Sequence, residues 1–380
     1  MSDPTLSLIP GRASEAGTQG FATRHDALKK AGAYREWRGL CVSTVGMGTY
    51  LGEATAEDRA AYRGAAKTAL SLGVNVFDTA INYRHQASER DIGAALGAAF
   101  DAGTASREEV FVSTKGGFLP FDCDDNEGDP RAYLAKVYLK SELCPPDEIV
   151  AGCQCLAPAY LTDQIARSRR NLGLETLDLY YLHNPEMQLG EVRRPEFLRR
   201  IRGAFEALAR ARADGHIGIY GVATWDGLRQ VPDASDGRLL LEDLRRAAIE
   251  VEGSQHGFRA IQLPLNLGMT EALCVEHDPR NHPGRTVLEV AEALGLMVMT
   301  SASLLQGRLA SGLPAQFARL FPGCETDAER ALQHTRSAPG VTTALVGMKT
   351  EAHVRENAGL LAKPRMRPEI IAKLYAGARG

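Results

Sequence analysis

Eight short apolar, β-branched runs alternate along this chain with eight amphipathic segments, and that alternation constrains the fold more than any other feature. The runs are 42–46 (VSTVG), 74–78 (VNVFD), 110–114 (VFVST), 177–182 (LDLYYL), 217–222 (IGIYGV), 259–263 (RAIQL), 296–300 (LMVMT) and 343–346 (TALV). Helical spacing of apolar residues marks 57–71, 88–101, 159–172, 196–213, 237–250, 285–294, 326–338 and 350–361. Strands that recur with a helix between them build parallel sheets. Eight such units favour closure into a (β/α)8 TIM barrel over an open doubly wound sheet. Gly73, Gly173, Gly215 and Gly295 follow four of the helices, where a left-handed C-cap returns the chain to the next strand.

No composition break divides the chain, so residues 41–380 read as one α/β barrel. Residues 1–40 form an N-terminal extension whose Ser, Gly, Pro and Ala content suggests loose order. The segment 118–157, after the third strand, is too long for an ordinary connection. In a barrel such a loop lies on the catalytic face, so it is expected to act as a lid.

Bulk properties exclude several partners. A formal net charge of -3 gives no electrostatic case for nucleic acid or an anionic membrane. No run of 18 apolar residues occurs, and the opening MSDPTLSLIPGRASEAGTQG lacks the basic and apolar regions of a secretory signal. Seven cysteines, an odd number, point to free thiols in a reducing compartment, and the expected location is cytoplasmic. No metal is expected. Cys123, Cys144, Cys153 and Cys155 lack paired zinc-ligand spacing, and DCDDNEGD has its Gly one position late, with Tyr133 where a calcium loop needs Glu. Gly46, Gly48 and Gly52 likewise miss the G-x-G-x-x-G spacing of a dinucleotide turn.

Four polar residues fall at or just past strand ends: Asp78, Tyr83, Lys115 and His183. A single Asp or Lys there is usually a cap or a solvated charge. Together around one barrel mouth, they suit proton donation to a carbonyl that receives a hydride. Free tyrosine has a pKa of about 10. A neighbouring ammonium favours the phenolate, and a carboxylate holds that ammonium charged and aimed. The predicted roles are Tyr83 as acid, Lys115 as its tuner, Asp78 as the anchor and His183 as the group that orients the carbonyl.

The stretch GVNVFDTAINYRHQASERDIGAAL resembles the signature of the aldo-keto reductases. EVFVSTKGG, SRRNLGLETLDLYYLHNPE, GHIGIYGVATW, LLQGRL and PGVTTALVGMKTEAHVREN resemble the remaining family blocks, in the family's order, over about residues 40 to 362. The resemblance implies a barrel that binds NADP(H) across its strand ends, with a tetrad on Asp78, Tyr83, Lys115 and His183. It also implies cofactor contacts at Gly48 and Thr49, at Asp78, at Gln262 for the carboxamide, and at Leu304, Gln306, Gly307 and Arg308 around the pyrophosphate. Gly347, Lys349, Glu356 and Asn357 fall at the adenosine end, where the helix start can hold an anion and Lys349 can meet a 2′-phosphate.

Three positions depart from the family pattern. Ala223-Thr224 replaces a Ser-Asn pair at the carboxamide, leaving only the Thr224 hydroxyl to bond. Ser301 stands where an aromatic commonly stacks on the nicotinamide. His353 stands where a basic residue often meets the 2′-phosphate, so NAD is retained beside NADP as a cofactor.

The expected activity is NADPH-dependent reduction of an aldehyde or ketone, sugar-like in the weak indication of the lid's acidic and aromatic residues, with His85, Asn184 and Trp225 shaping the substrate pocket. Two competing readings are a non-catalytic NADP(H)-binding regulatory protein on the same barrel and a metal-dependent hydrolase. The second wants clustered His and carboxylates at several strand ends, and only Asp78 and His183 qualify.

Overall fold

The computed structural model describes residues 8–125, 129–229, 238–375 and 377. The first seven residues, three residues of the DCDDNEGD stretch and residue 237 of the fifth predicted helix lie outside the described residues.

Two strands, β1 (Tyr34–Trp37) and β2 (Leu40–Ser43), pair as an antiparallel hairpin. Eight parallel strands then close a barrel: β3 (Val45–Gly48), β4 (Val76–Asp78), β5 (Phe111–Gly116), β6 (Leu177–His183), β7 (Ile217–Ala223) and β8 (Phe258–Pro264), followed, after a small ribbon of β9 (Glu276–Asp278) and β10 (His282–Thr286), by β11 (Met297–Ser301) and β12 (Thr343–Gly347). β12 pairs with β3 and shuts the ring. The (β/α)8 architecture is the one the alternation predicts. All four glycines named as C-caps have positive φ, between 66° and 90°.

One predicted strand is corrected. The run 42–46 is split between two elements, because Cys41 and Val42 belong to the hairpin and the barrel strand begins at Val45. Periodicity alone cannot separate two short apolar strands that abut.

The N-terminal extension is also more ordered than its composition suggested. Helix Glu15–Arg24 is capped by Ser14, whose hydroxyl accepts from the Gly17 amide at 3.0 Å. Phe21 is 1% exposed in the main core, and full burial of such a ring is worth about 1.5–3 kcal/mol. Among the described residues, no helix is long and apolar enough to cross a membrane. All seven cysteines are free.

Candidate active site

Parallel strands in register bring the predicted polar residues to one rim. Asp78 ends β4, Lys115 lies one residue from the end of β5, His183 ends β6 and Gln262 sits in β8. Asp78 is level with Gly48 and Ser113, and His183 is linked through Ala223 to Gln262. Beyond Lys115 the chain must be glycine, since a Cβ at Gly116 would lie 2.1 Å from the Tyr180 hydroxyl.

The Asp78 carboxylate is fully occupied. Oδ2 accepts from Lys115 Nζ at 2.5 Å, and Oδ1 accepts from Ser113 Oγ at 2.7 Å and from Gln262 Nε2 at 2.9 Å. Lys115, 1% exposed, also donates to the Thr79 carbonyl at 2.8 Å and stands 4.9 Å from the centre of the Tyr83 ring. Burial opposes its charge, but the attraction of Asp78 and Tyr83 outweighs burial and holds its pKa above the ordinary value.

Tyr83 shifts the other way from the sequence expectation. Burial raises its pKa, and the nearby Lys115 opposes that rise without reversing it. The hydroxyl is therefore held as an acid rather than as a phenolate. The expectation of a net fall neglected the low-dielectric surroundings, which penalise a buried phenolate.

His183 is driven well below the ordinary histidine range, first by burial and then by the charge of Lys115. It is a neutral imidazole. Its ring meets Tyr83 at 5.8 Å and Phe118 at 4.8 Å, both edge-on, and its buried Nδ1 has no protein hydrogen-bond partner.

A turn with no signature in the sequence sets the position of Tyr83. Arg84, His85 and Gln86 have φ of 47°, 54° and 71°, three left-handed residues in succession without a glycine. Each costs on the order of 1–2 kcal/mol. Packing holds them: Arg84 Nη1 donates to Asp91 Oδ2 at 3.0 Å and its guanidinium lies 4.0 Å over the Tyr62 ring, while Gln86 Nε2 donates to the Phe121 carbonyl at 2.8 Å.

A cavity of about 470 Å³ opens beside these residues. Asp78, Tyr83 and Gln262 line one end. Gly48, Thr49, Leu304, Gln306, Gly307, Gly347, Lys349, His353, Glu356 and Asn357 line the rest, so most of the predicted cofactor positions share one space. The buried Asn357 Oδ1 has no hydrogen-bond partner among the described residues and belongs to the lining of that space, a donor-seeking atom suited to an adenine amine. These residues fit a dinucleotide.

Residues 44–313 match the Aldo/keto reductase family. The chain belongs to that family. It is 27% identical over 186 residues to D-threo-aldose 1-dehydrogenase from Pseudomonas sp, covering 48% of this chain and 50% of that protein. It is 39% identical over 74 residues to an aldose reductase from Encephalitozoon cuniculi (strain GB-M1), covering 20% of this chain and 22% of that one. The chain thus spans about half the length, or less, of these curated relatives. In structure it resembles a holo-form aldo-keto reductase from Bacillus halodurans, with a TM-score of 0.59 at 19% identity over 90% of this chain and 95% of that one. An aldo/keto reductase from Klebsiella pneumoniae in complex with NADP and acetate gives 0.58 at 20% identity, over 90% and 93%.

Several residues of this aldo/keto reductase lie off the cavity. Arg308 is exposed and does not line it. Thr224 is buried behind it, its hydroxyl 3.4 Å from the Gln262 carbonyl. Gln262, by contrast, lines the cavity, and its amide nitrogen donates to Asp78. Of the substrate candidates, exposed His85 packs on Phe121 at 5.6 Å, Asn184 follows His183 with φ of 46°, and Trp225 is 41% exposed with its amide donating to Glu186 at 2.6 Å.

Sequence reasoning missed Tyr50, Leu51, Tyr62 and Ser303, which all line the cavity, and Ser113, which holds Asp78. Tyr50 is 58% exposed and meets the Tyr83 ring edge-on at 5.1 Å. Its place just after the first barrel strand was the signal available.

The 118–157 segment packs Tyr133, Tyr138, Cys144 and Cys155 into a small core with Tyr160 of the following helix. Gln154 Nε2 pins it to the rim, donating to the carbonyls of His183 at 2.7 Å and Asn184 at 2.6 Å. The acidic loop is held by arginine: Arg90 pairs with Asp122 at 2.6 Å and Asp124 at 2.5 Å. Asp122, Cys123 and Asp124 lie within 4.8 Å of one another, but these two carboxylates already face a cation.

Proposed function

We propose that this protein is an NADPH-dependent oxidoreductase that interconverts an aldehyde or ketone and its alcohol. The Lys115 ammonium, locked to Asp78 and set against Tyr83 beside a dinucleotide-sized cavity, carries this reading. The family membership and the NADP in the Klebsiella pneumoniae structure's title support it.

When bound, NADPH supplies the hydride from nicotinamide C4. The chain's residues supply position and the proton. Tyr83 Oη donates its proton to the carbonyl oxygen as that oxygen gains charge. Lys115 stabilises the phenolate left behind, and Asp78 keeps Lys115 charged. Neutral His183 directs a ring N–H at the same oxygen. At the far end, Lys349 receives the 2′-phosphate, with the amides at the start of helix Glu351–Gly359 as further donors. Lys349 is tied to Asp58 at 2.8 Å, so NADH is the cofactor to compare.

A small polyhydroxylated carbonyl is the proposed substrate class, supported by the name of the Pseudomonas relative. Tyr50, Trp225, His85 and Asn184 flank the approach to Tyr83 in this reading. A panel of aldehydes, ketones and aldoses, followed by NADPH absorbance, tests it. Tyr83→Phe should abolish turnover while leaving NADPH binding within a few-fold. Full turnover in that variant overturns the reading, and NADPH binding with no turnover of any carbonyl points to the regulatory protein instead.

A further inference from the structure

The opposite end of the barrel holds a second cavity, of about 760 Å³. Three distant parts of the chain enclose it: the N-terminal segment through Arg12 and Glu15, the hairpin through Trp37 and Arg38, and the lower ends of β7 and β8 with Arg212 above them. Four guanidinium groups line it, from Arg12, Arg38, Arg212 and Arg259, against two carboxylates, Glu15 and Asp178.

Glu15, with its carboxylate beside Gly39, is one charge against four arginines, and Asp178 adds nothing to the balance. Asp178 is saturated by Arg107 at 2.7 Å, the Val112 amide at 2.8 Å and the Ala13 amide at 2.7 Å. Arg212 has a partner outside the lining in Glu252 at 2.9 Å. Arg259 donates to the Phe258 carbonyl and contacts His256, a histidine kept neutral by burial and by Arg259 itself. Among the described residues, neither Arg12 nor Arg38 is ion-paired to a carboxylate. The repulsion registers on Arg259, whose pKa is lowered first by burial and then by Arg38 and Arg212.

Arg38 sits where a turn would not choose it. With Gly39 it forms the two-residue connection between β1 and β2, at φ of 46° and 85°, where Asn or Gly is favoured. Its guanidinium lies 5.5 Å over the Trp37 ring. A strained arginine beside an aromatic wall, in a cavity lined by three more arginines, is arranged for an anion with several acceptor oxygens.

We propose that this lower cavity binds a small polyanion, a phosphorylated or polycarboxylated metabolite, between Arg12, Arg38 and Arg259 with Trp37 as its wall. The volume matches a metabolite-sized ligand, and the chain's net charge of -3 disfavours a nucleic acid as the occupant. Ligand there would bridge the N-terminal segment, the hairpin and the barrel. That is a stabilising or regulatory role, on the barrel face away from the strand ends that carry chemistry.

The chain has two tryptophans, Trp37 and Trp225, so in a Trp225→Phe background the emission reports the lower cavity. Pyrophosphate and, separately, citrate are titrated at constant ionic strength with saturating NADP+ present to block anion binding in the upper cavity. The expected result is a saturable change in Trp37 emission, weakened about tenfold or more by Arg38→Gln and by Arg12→Gln. Both side chains are exposed, and the melting temperature of each variant without anion checks that it is folded. Response to pyrophosphate alone assigns a phosphorylated ligand; response to both assigns polyanions generally. No saturable response to either anion, a response equalled by sodium chloride, or one that survives both replacements overturns the proposal.

Discussion

Lys115 Nζ lies 2.5 Å from Asp78 Oδ2, and both side chains are buried, at 1% and 4% residue exposure. A buried pair of this kind is weak grounds for stability, because removing two ions from water costs about as much as their attraction returns. Its worth is electrostatic aim. Asp78→Asn should strand an ammonium in the barrel, costing about 3–5 kcal/mol of stability. The rate of carbonyl reduction should fall by roughly 10²–10⁴-fold, because Asp78 no longer keeps Lys115 charged and aimed at Tyr83. The double variant Asp78→Asn/Lys115→Met separates the two effects. Stability should largely return in urea denaturation, while turnover stays lost.

The raised pKa of Tyr83 fixes the direction of the pH profile. A proton donor works in its protonated form, and burial keeps Tyr83 protonated beyond the ordinary tyrosine value of about 10. Reduction should therefore hold level through neutral pH and decline only in the alkaline range, whereas alcohol oxidation, which needs the phenolate, should rise with pH. Neutral His183 adds no inflection near pH 6.5. A kcat/KM profile for reduction that falls between pH 6 and 8 contradicts this arrangement.

The barrel was legible because the strands and helices carry their own periods and four of the helices their own glycine stop, all local signals. The four polar residues of the rim were legible because strand ends are identifiable positions. What escaped depends on packing. The left-handed turn at Arg84, His85 and Gln86 contains no glycine, and the contacts that hold it, Arg84 with Asp91 and Tyr62 and Gln86 with Phe121, come from packing. The upward shift of Tyr83 follows from burial, which a list of neighbouring charges does not contain. The bond from the Gln262 amide to Asp78 joins β8 to β4, strands that are not neighbours in the barrel, so no local pattern announces it.

Asp58 and Lys349 form a half-exposed pair at 2.8 Å on the wall of the upper cavity, and the same carboxylate accepts from the Glu53 amide at 2.8 Å. The pair holds Lys349 in place but also occupies it. Lys349→Ala should weaken NADPH binding by about 1.5–3 kcal/mol, or tenfold to a hundredfold, and leave NADH binding nearly unchanged. Asp58→Asn should act on the same discrimination by freeing the ammonium. Fluorescence titrations with both cofactors decide it, and equal losses for NADPH and NADH in Lys349→Ala would remove the phosphate role.

Helix Leu241–Glu252 begins without a side-chain cap of its own, and His277 serves it from outside, with Nε2 accepting from the Leu241 amide at 3.1 Å. Only neutral imidazole can accept that bond. Burial, followed by the charge of Arg238, pushes the His277 pKa down to about 3. The unfolded chain takes up this proton near the ordinary value of about 6.5, while the folded chain refuses it until about pH 3. Stability from this group is thus complete above pH 6.5 and is lost progressively as the pH falls towards 3, by up to roughly 5 kcal/mol. His277→Gln retains an acceptor oxygen but cannot titrate. Urea midpoints measured from pH 7.5 to 4.5 should fall more steeply for the natural chain than for the variant, with a residual slope in both from buried His183 and His334. Parallel slopes would mean that His277 is charged in the folded protein, and that the helix start is held by something else.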